Sequence, residues 1–127
     1  MIKKLDGLED ETVLGDSSLG AEVEKGDELQ AVVAGPSFLD IYPLPQTGKL
    51  TIGRYRGSGI AIDHDSISRF HAVLYVGPPI VVEDVGSANG TSVDGTAVKP
   101  GSKVPVGLGA VLKVGSVVIV VQKKSAS

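Results

Sequence analysis

From Leu29 onward, short runs rich in valine and isoleucine recur about every eight to twelve residues, and most are parted by glycine, proline or asparagine. The runs are 29–34, 38–42, 50–53, 60–62, 70–76, 80–84, 91–93, 111–114 and 117–122. No segment reaches the roughly ten residues of an amphipathic helix. Within Phe70-His71-Ala72-Val73-Leu74-Tyr75-Val76 the alternation puts Phe70, Ala72, Leu74 and Val76 on one face and His71, Val73 and Tyr75 on the other. Asn89-Gly90 and Asp94-Gly95 are tight-turn signals, because both dipeptides tolerate positive φ. Many short strands with such punctuation predict an all-β chain folded as a β-sandwich. Loops gathered at one end of a sandwich are the natural place for a site.

Length sets the scale of that sandwich. The chain has 127 residues, enough for one domain with a real core and too few for two of ordinary size. It has no cysteine, which removes disulfides and thiolate metal sites from consideration. The N-terminus lacks the apolar run of a signal peptide, and no stretch approaches the roughly 18 apolar residues of a membrane span. A cytoplasmic protein without membrane contact is expected. Charge divides the chain unevenly: residues 1–28 carry nine acids against three lysines, while the remainder holds six acids and nine bases. We therefore expect an acidic, flexible arm over 1–28, a folded domain over 29–122 and a short tail over 123–127. A mildly basic body suits an acidic or phosphorylated ligand better than long nucleic acid, which needs a broad basic face.

All three arginines, Arg54, Arg56 and Arg69, fall within one stretch of sixteen residues, whereas the nine lysines are scattered. Guanidinium suits bidentate capture of phosphate or carboxylate, so this concentration points to an anion site. Ser68 precedes Arg69, and Gly86-Ser87-Ala88-Asn89-Gly90-Thr91 adds hydroxyls, an amide and turns that could surround the same anion. Arg56 lies in the loop before Ile60, open to ligand and to water alike.

Gly53-Arg54, then Ser68-Arg69-Phe70-His71, then Ser87-Ala88-Asn89-Gly90-Thr91, with Asp84 ahead of the last group, resemble in order and spacing the signature of the forkhead-associated (FHA) domain. The resemblance covers roughly residues 29–122. It implies an eleven-stranded β-sandwich that binds phosphothreonine peptides through loops at one end. In this reading Arg54 pairs with the phosphate, Ser68 donates its hydroxyl to a phosphate oxygen, Arg69 adds charge or holds the peptide backbone, and Asn89 bonds the peptide main chain. Gly53 and Gly90 serve as turn glycines, and His71 braces the loops by hydrogen bonding. Ser87 tightens its own loop, and Thr91 starts a strand with its hydroxyl serving the turn. Ala88 departs from the family, which often carries threonine or serine before the motif asparagine, so one hydroxyl contact worth roughly 1.5 to 3 kcal/mol at most is missing. The texture also resembles modules at the front of bacterial enhancer-binding transcriptional activators, which implies a piece of a longer regulator in a serine/threonine-kinase circuit.

Catalytic readings fare worse. Ser68, His71 and one of Asp63, Asp65 or Asp84 supply the residue types of a hydrolase triad, but no G-x-S-x-G elbow is present. Gly48-Lys49 is followed by Leu50, and Pro43 stands where a P-loop needs its first glycine. Asp63-His64-Asp65 offers too few ligands for a metal cage, and no cofactor is implied. The alternative function is a domain that binds an unphosphorylated partner through a sheet face. Finally, Glu9-Asp10-Glu11-Thr12 places the only threonine of the first 28 residues behind three acids. Thr12 is thus a candidate phosphosite through which the arm could occupy its own domain's site.

Overall fold

The computed structural model describes residues 27–124. The arm over 1–26, with Thr12, and residues 125–127 lie outside the described residues. Among the described residues there are eleven strands and no helix, and so no helix long and apolar enough to cross a membrane. In chain order they are β1 (Leu29–Ala34), β2 (Leu39–Leu44), β3 (Gly48–Gly53), β4 (Ile60–Ala61), β5 (Ala72–Val76), β6 (Val81–Asp84), β7 (Thr91–Val93), β8 (Thr96–Ala97), β9 (Lys103–Pro105), β10 (Leu112–Val114) and β11 (Val117–Lys123).

They form two sheets, one ordered β2-β1-β11-β10-β7-β8 and the other β4-β3-β5-β6-β9. All pairs are antiparallel except β3 with β4. Alternation along each strand supplies the core: Ala31, Val33, Leu112, Val114, Val117, Ile119 and Val121 from the first sheet meet Ile52, Ile60, Ala72, Leu74, Val76 and Val82 from the second. The buried apolar side chains are all aliphatic. β-branched residues dominate because they pack well on a pleated surface while losing little rotamer freedom there. The protein is therefore an all-β sandwich of eleven strands in two sheets, the architecture expected from the sequence.

Several details differ from expectation. β8 and β9 were not legible, since Thr96–Ala97 is two exposed residues and Lys103–Pro105 only three, both at sheet edges without an apolar run to announce them. β2 runs through Pro43, which an edge strand tolerates because the missing N–H need not serve a second neighbour. Lys123 belongs to β11, and the Lys124 N–H donates to the Glu28 carbonyl at 2.7 Å. The face assignment in 70–76 holds only from Ala72: Phe70 is 58% exposed and His71 is fully buried, the reverse of the expected alternation. The strand begins at Ala72, so the two-residue period does not reach back to them, and His71 turns inward to bond backbone groups.

Asp94 (φ 49°) and Gly95 (φ 85°) form the expected two-residue turn of the β7–β8 hairpin. Asn89-Gly90 makes no hairpin. It lies in the crossing from β6 in one sheet to β7 in the other, with Gly90 at φ 89°.

Candidate functional site

The site is built from the loops β3–β4, β4–β5 and β6–β7 and the β10–β11 turn, which backbone hydrogen bonds tie to one another. The N–H groups of Arg54 and Tyr55 donate to the carbonyls of Ser68 and Arg69 at 3.0 and 3.1 Å, fastening the first loop to the second. Gly53 ends β3 against that segment, where a Cβ would run into the Arg69 carbonyl. Its φ is not positive, so the reason for glycine is this close approach and not the turn conformation expected.

His71 joins the second loop to the third. Its Nδ1 accepts from the Ser68 N–H at 3.0 Å, which leaves the proton on Nε2, and Nε2–H donates to the Gly90 carbonyl at 2.9 Å. Both ring nitrogens are thus committed to backbone groups, and neither is bonded to the Ser68 hydroxyl as a catalytic base would be. Ser68 Oγ accepts instead from the Ala88 N–H at 2.9 Å and keeps its own proton to donate.

Asp84 organises the β6–β7 loop. Oδ1 accepts from the N–H groups of Gly86 and Ser87 at 2.7 and 2.8 Å, and Oδ2 from the hydroxyls of Ser87 and Thr91 at 2.6 and 2.7 Å. Ser87 Oγ in turn accepts from the Gly90 N–H at 2.9 Å, so Ser87 and Thr91 both hold the loop's shape. Burial pushes the Asp84 carboxyl up, but the bonds from Ser87, Thr91 and Gly86 outweigh it and leave the group below its ordinary 3.8. The carboxylate therefore stays charged among donors that all favour that form.

Ser66 is the residue sequence reasoning passed over. Its carbonyl accepts from Asn89 Nδ2 at 2.9 Å, and its hydroxyl accepts from the Ser116 N–H and hydroxyl at 3.0 and 2.9 Å. The same hydroxyl meets His64 Nδ1 at 2.9 Å. Gly115, at φ 56°, packs so close that a Cβ would stand 2.5 Å from the Ser66 carbonyl oxygen. The only signal in the chain was Ser66's place two residues before Ser68. For Asp84 the signal was Asp84-x-x-Ser87, the spacing of a side chain that bonds the backbone just ahead of it.

Around this frame stand the three exposed arginines. The ion pairs among the described residues are Lys123–Asp27 at 3.5 Å and Lys124–Glu28 at 3.9 Å, so no described carboxylate pairs with Arg54, Arg56 or Arg69. Among the described residues no three His, Cys, Asp or Glu side chains gather as metal ligands.

The model of the FHA domain family matches residues 50–115, from within β3 to Gly115 at the start of the β10–β11 turn. The chain belongs to the FHA domain family. FHA domains are interaction modules that bind phosphorylated protein partners. Human Kanadaptin is 30% identical over 93 residues, which cover 64% of this chain; the chain spans only 12% of that relative's length. The solution structure of the FHA domain of an Arabidopsis thaliana protein is 30% identical with a TM-score of 0.71, covering 85% of this chain and 95% of its own. Mycobacterium tuberculosis EmbR, solved in complex with a low-affinity phosphopeptide, is 25% identical with a TM-score of 0.64, covering 77% of this chain and 25% of EmbR.

Proposed function

We propose that this FHA domain recruits partners phosphorylated on threonine by a serine/threonine kinase, within a regulatory protein of the bacterial enhancer-binding type that its sequence resembles. The observation that carries the reading is the group of exposed arginines that no described carboxylate pairs, on loops bonded to a serine whose hydroxyl accepts from the Ala88 N–H and keeps its proton to donate. Arg54 takes the phosphate charge, Ser68 donates to a phosphate oxygen, and Arg69 supplies a second cation. Asn89 holds its side chain on the Ser66 carbonyl through one amide proton, leaving the other proton and the amide oxygen for the peptide main chain. The phosphopeptide bound to EmbR supports the same chemistry here.

Calorimetry with a phosphothreonine peptide tests this. Arg54→Ala lowers affinity by at least about 2 kcal/mol, some thirty-fold, while the exposed position leaves the fold intact. Ser68→Ala costs less, since it removes a neutral donor. Equal binding of the unphosphorylated peptide overturns the reading.

The ligand can also be the domain's own arm. Thr12 stands about 15 residues before Asp27, a reach of about 50 Å when extended, against about 25 Å for the length of the sandwich. Such a tether gives an effective concentration near the millimolar range. Once Thr12 is phosphorylated, the amide signals of Ser68, Arg69 and Asn89 shift by the same amount at every protein concentration. Shifts that grow with concentration indicate binding between molecules and overturn docking in cis.

A further inference from the structure

β1 and β11 are apolar on both faces, which a two-layer sandwich does not require. Val117-Val118-Ile119-Val120-Val121 and Ala31-Val32-Val33-Ala34 are unbroken apolar runs. Alternate members fill the core, whereas Val32, Ala34, Val118 and Val120 point away from it and remain partly exposed. A strand with one solvated face carries polar residues there, and continuous apolar runs belong to strands covered on both sides. Register joins these four to the edge strand β2: Leu39 and Val118 flank Ala34, and Ile41 and Val120 flank Val32. Leu39 and Ile41 are 65% and 56% exposed.

The six side chains make two rows across three strands with no charged group among them. Gln30, Gln122 and Pro43 form the next row, the Glu28–Lys124 ion pair lies beyond it, and Lys113 borders the patch beside Val118. The outer face of the other sheet is different, since Lys49, Thr51, Tyr75, Glu83 and Lys103 give it the polar character of a solvated surface. Size limits what can cover the patch. Strands about 4.8 Å apart and rows about 7 Å apart outline roughly 200 Å². That is about a quarter of the roughly 800 Å² that each partner contributes to a stable interface, too little to hold a second copy or a separate protein. A segment already tethered to the domain needs less, because its effective concentration is near the millimolar range.

The chain supplies such a segment. Leu19-Gly20-Ala21-Glu22-Val23-Glu24, outside the described residues, alternates apolar residues with glycine or glutamate. In an extended form Leu19, Ala21 and Val23 share one side over about 13 Å, the length of β2 from Leu39 to Pro43. The arm joins the fold at β1, the middle strand of the patch. A segment packed on a sheet sits about 10 Å above it, and residues 24–27 can span about 13 Å, with Gly26 free to make the reversal.

We propose that residues 19–24 fold back over the outer face of β2, β1 and β11, setting Leu19, Ala21 and Val23 on the apolar rows and Glu22 and Glu24 in water. The contact involves no phosphate, so it stands apart from the reading of the loop site. Because β1 runs towards the ligand loops, the reversed segment lays Leu19 nearest to them. Only the stretch 12–19 then tethers Thr12, which is delivered at the ligand end of the sandwich.

The test uses the full chain, in which Glu22→Cys creates the sole thiol and carries a nitroxide. The amide signals of Val32, Ile41 and Val120 should lose most of their intensity, those of Thr51 and Glu83 on the opposite sheet should keep theirs, and the profile should not change with protein concentration. Adding Leu19→Asp and Val23→Asp alters no residue of the strands, so the fold survives, and the lost intensity should return. A profile unchanged by those two substitutions means that the tether alone brings the label close and overturns docking. So does a face whose signals keep full intensity throughout. Losses that appear when spin-labelled protein is mixed with isotope-labelled protein free of nitroxide assign the face to a second copy and overturn the proposal as well.

Discussion

Asp84, itself 1% exposed, accepts four hydrogen bonds, and those bonds decide the shape of the loop that carries Asn89. Asp84→Asn keeps the side chain's outline but removes the charge that its donors are arranged around. The loss should be about 2 kcal/mol of stability at neutral pH, read from urea midpoints. Because the folded carboxyl lies below its ordinary 3.8, its contribution is complete above that pH and disappears as pH falls through the folded value. The gap between wild type and variant should therefore close in strong acid. A gap that does not narrow at all on acidification would mean the charge is not what holds the loop. Phosphopeptide affinity should fall in the variant too, since Ser87 and Thr91 lose the acceptor that sets their loop.

At the level of elements, the strands that alternate and bury one face were legible: β1 and β7 stand where the apolar runs put them, and the Asp94-Gly95 hairpin follows from its residues. What escaped were features without a periodic signal. β9 has no run to mark it, His71 turns inward from an irregular segment, and Ser66 acts mainly through its carbonyl and through partners fifty residues away. Motif order placed Arg54, Ser68, Arg69 and Asn89 on neighbouring loops, but not the bonds between those loops. Two glycines separate these contributions. Gly95→Ala meets nothing within 4 Å, so only its positive φ is strained, and the cost should be about 1 kcal/mol with binding unchanged. Gly115→Ala has the same kind of strain plus a collision with Ser66, and should lose at least about 2 kcal/mol together with phosphopeptide affinity. Thermal melts and titrations of the two variants side by side check the contrast.

Across the whole molecule, the arginines project from one end of the sandwich, in a chain whose formal net charge is −3. Attraction of a phosphorylated ligand is then local and screenable. Affinity should drop severalfold as salt rises from low to high ionic strength, and again below about pH 6, where the phosphate takes up a proton. Isothermal titration at two salt concentrations and two pH values reads both effects. Affinity indifferent to salt would point to an apolar interface on a sheet face instead.

The pairing of β1 with β11 sets how the domain responds to force. The two strands run antiparallel, with Leu29 opposite Lys123 at one end and Ala34 opposite Val118 at the other, next to the turn that touches Ser66. Traction on residues 27 and 124 would load the bonds between these strands one rung at a time, because ladder bonds lie across the strands and along such a pull. Opening would start at the end remote from the ligand and travel towards it. The grip on a phosphopeptide would outlast the first yielding of the domain, much as a zip opened from its far end still holds at the slider.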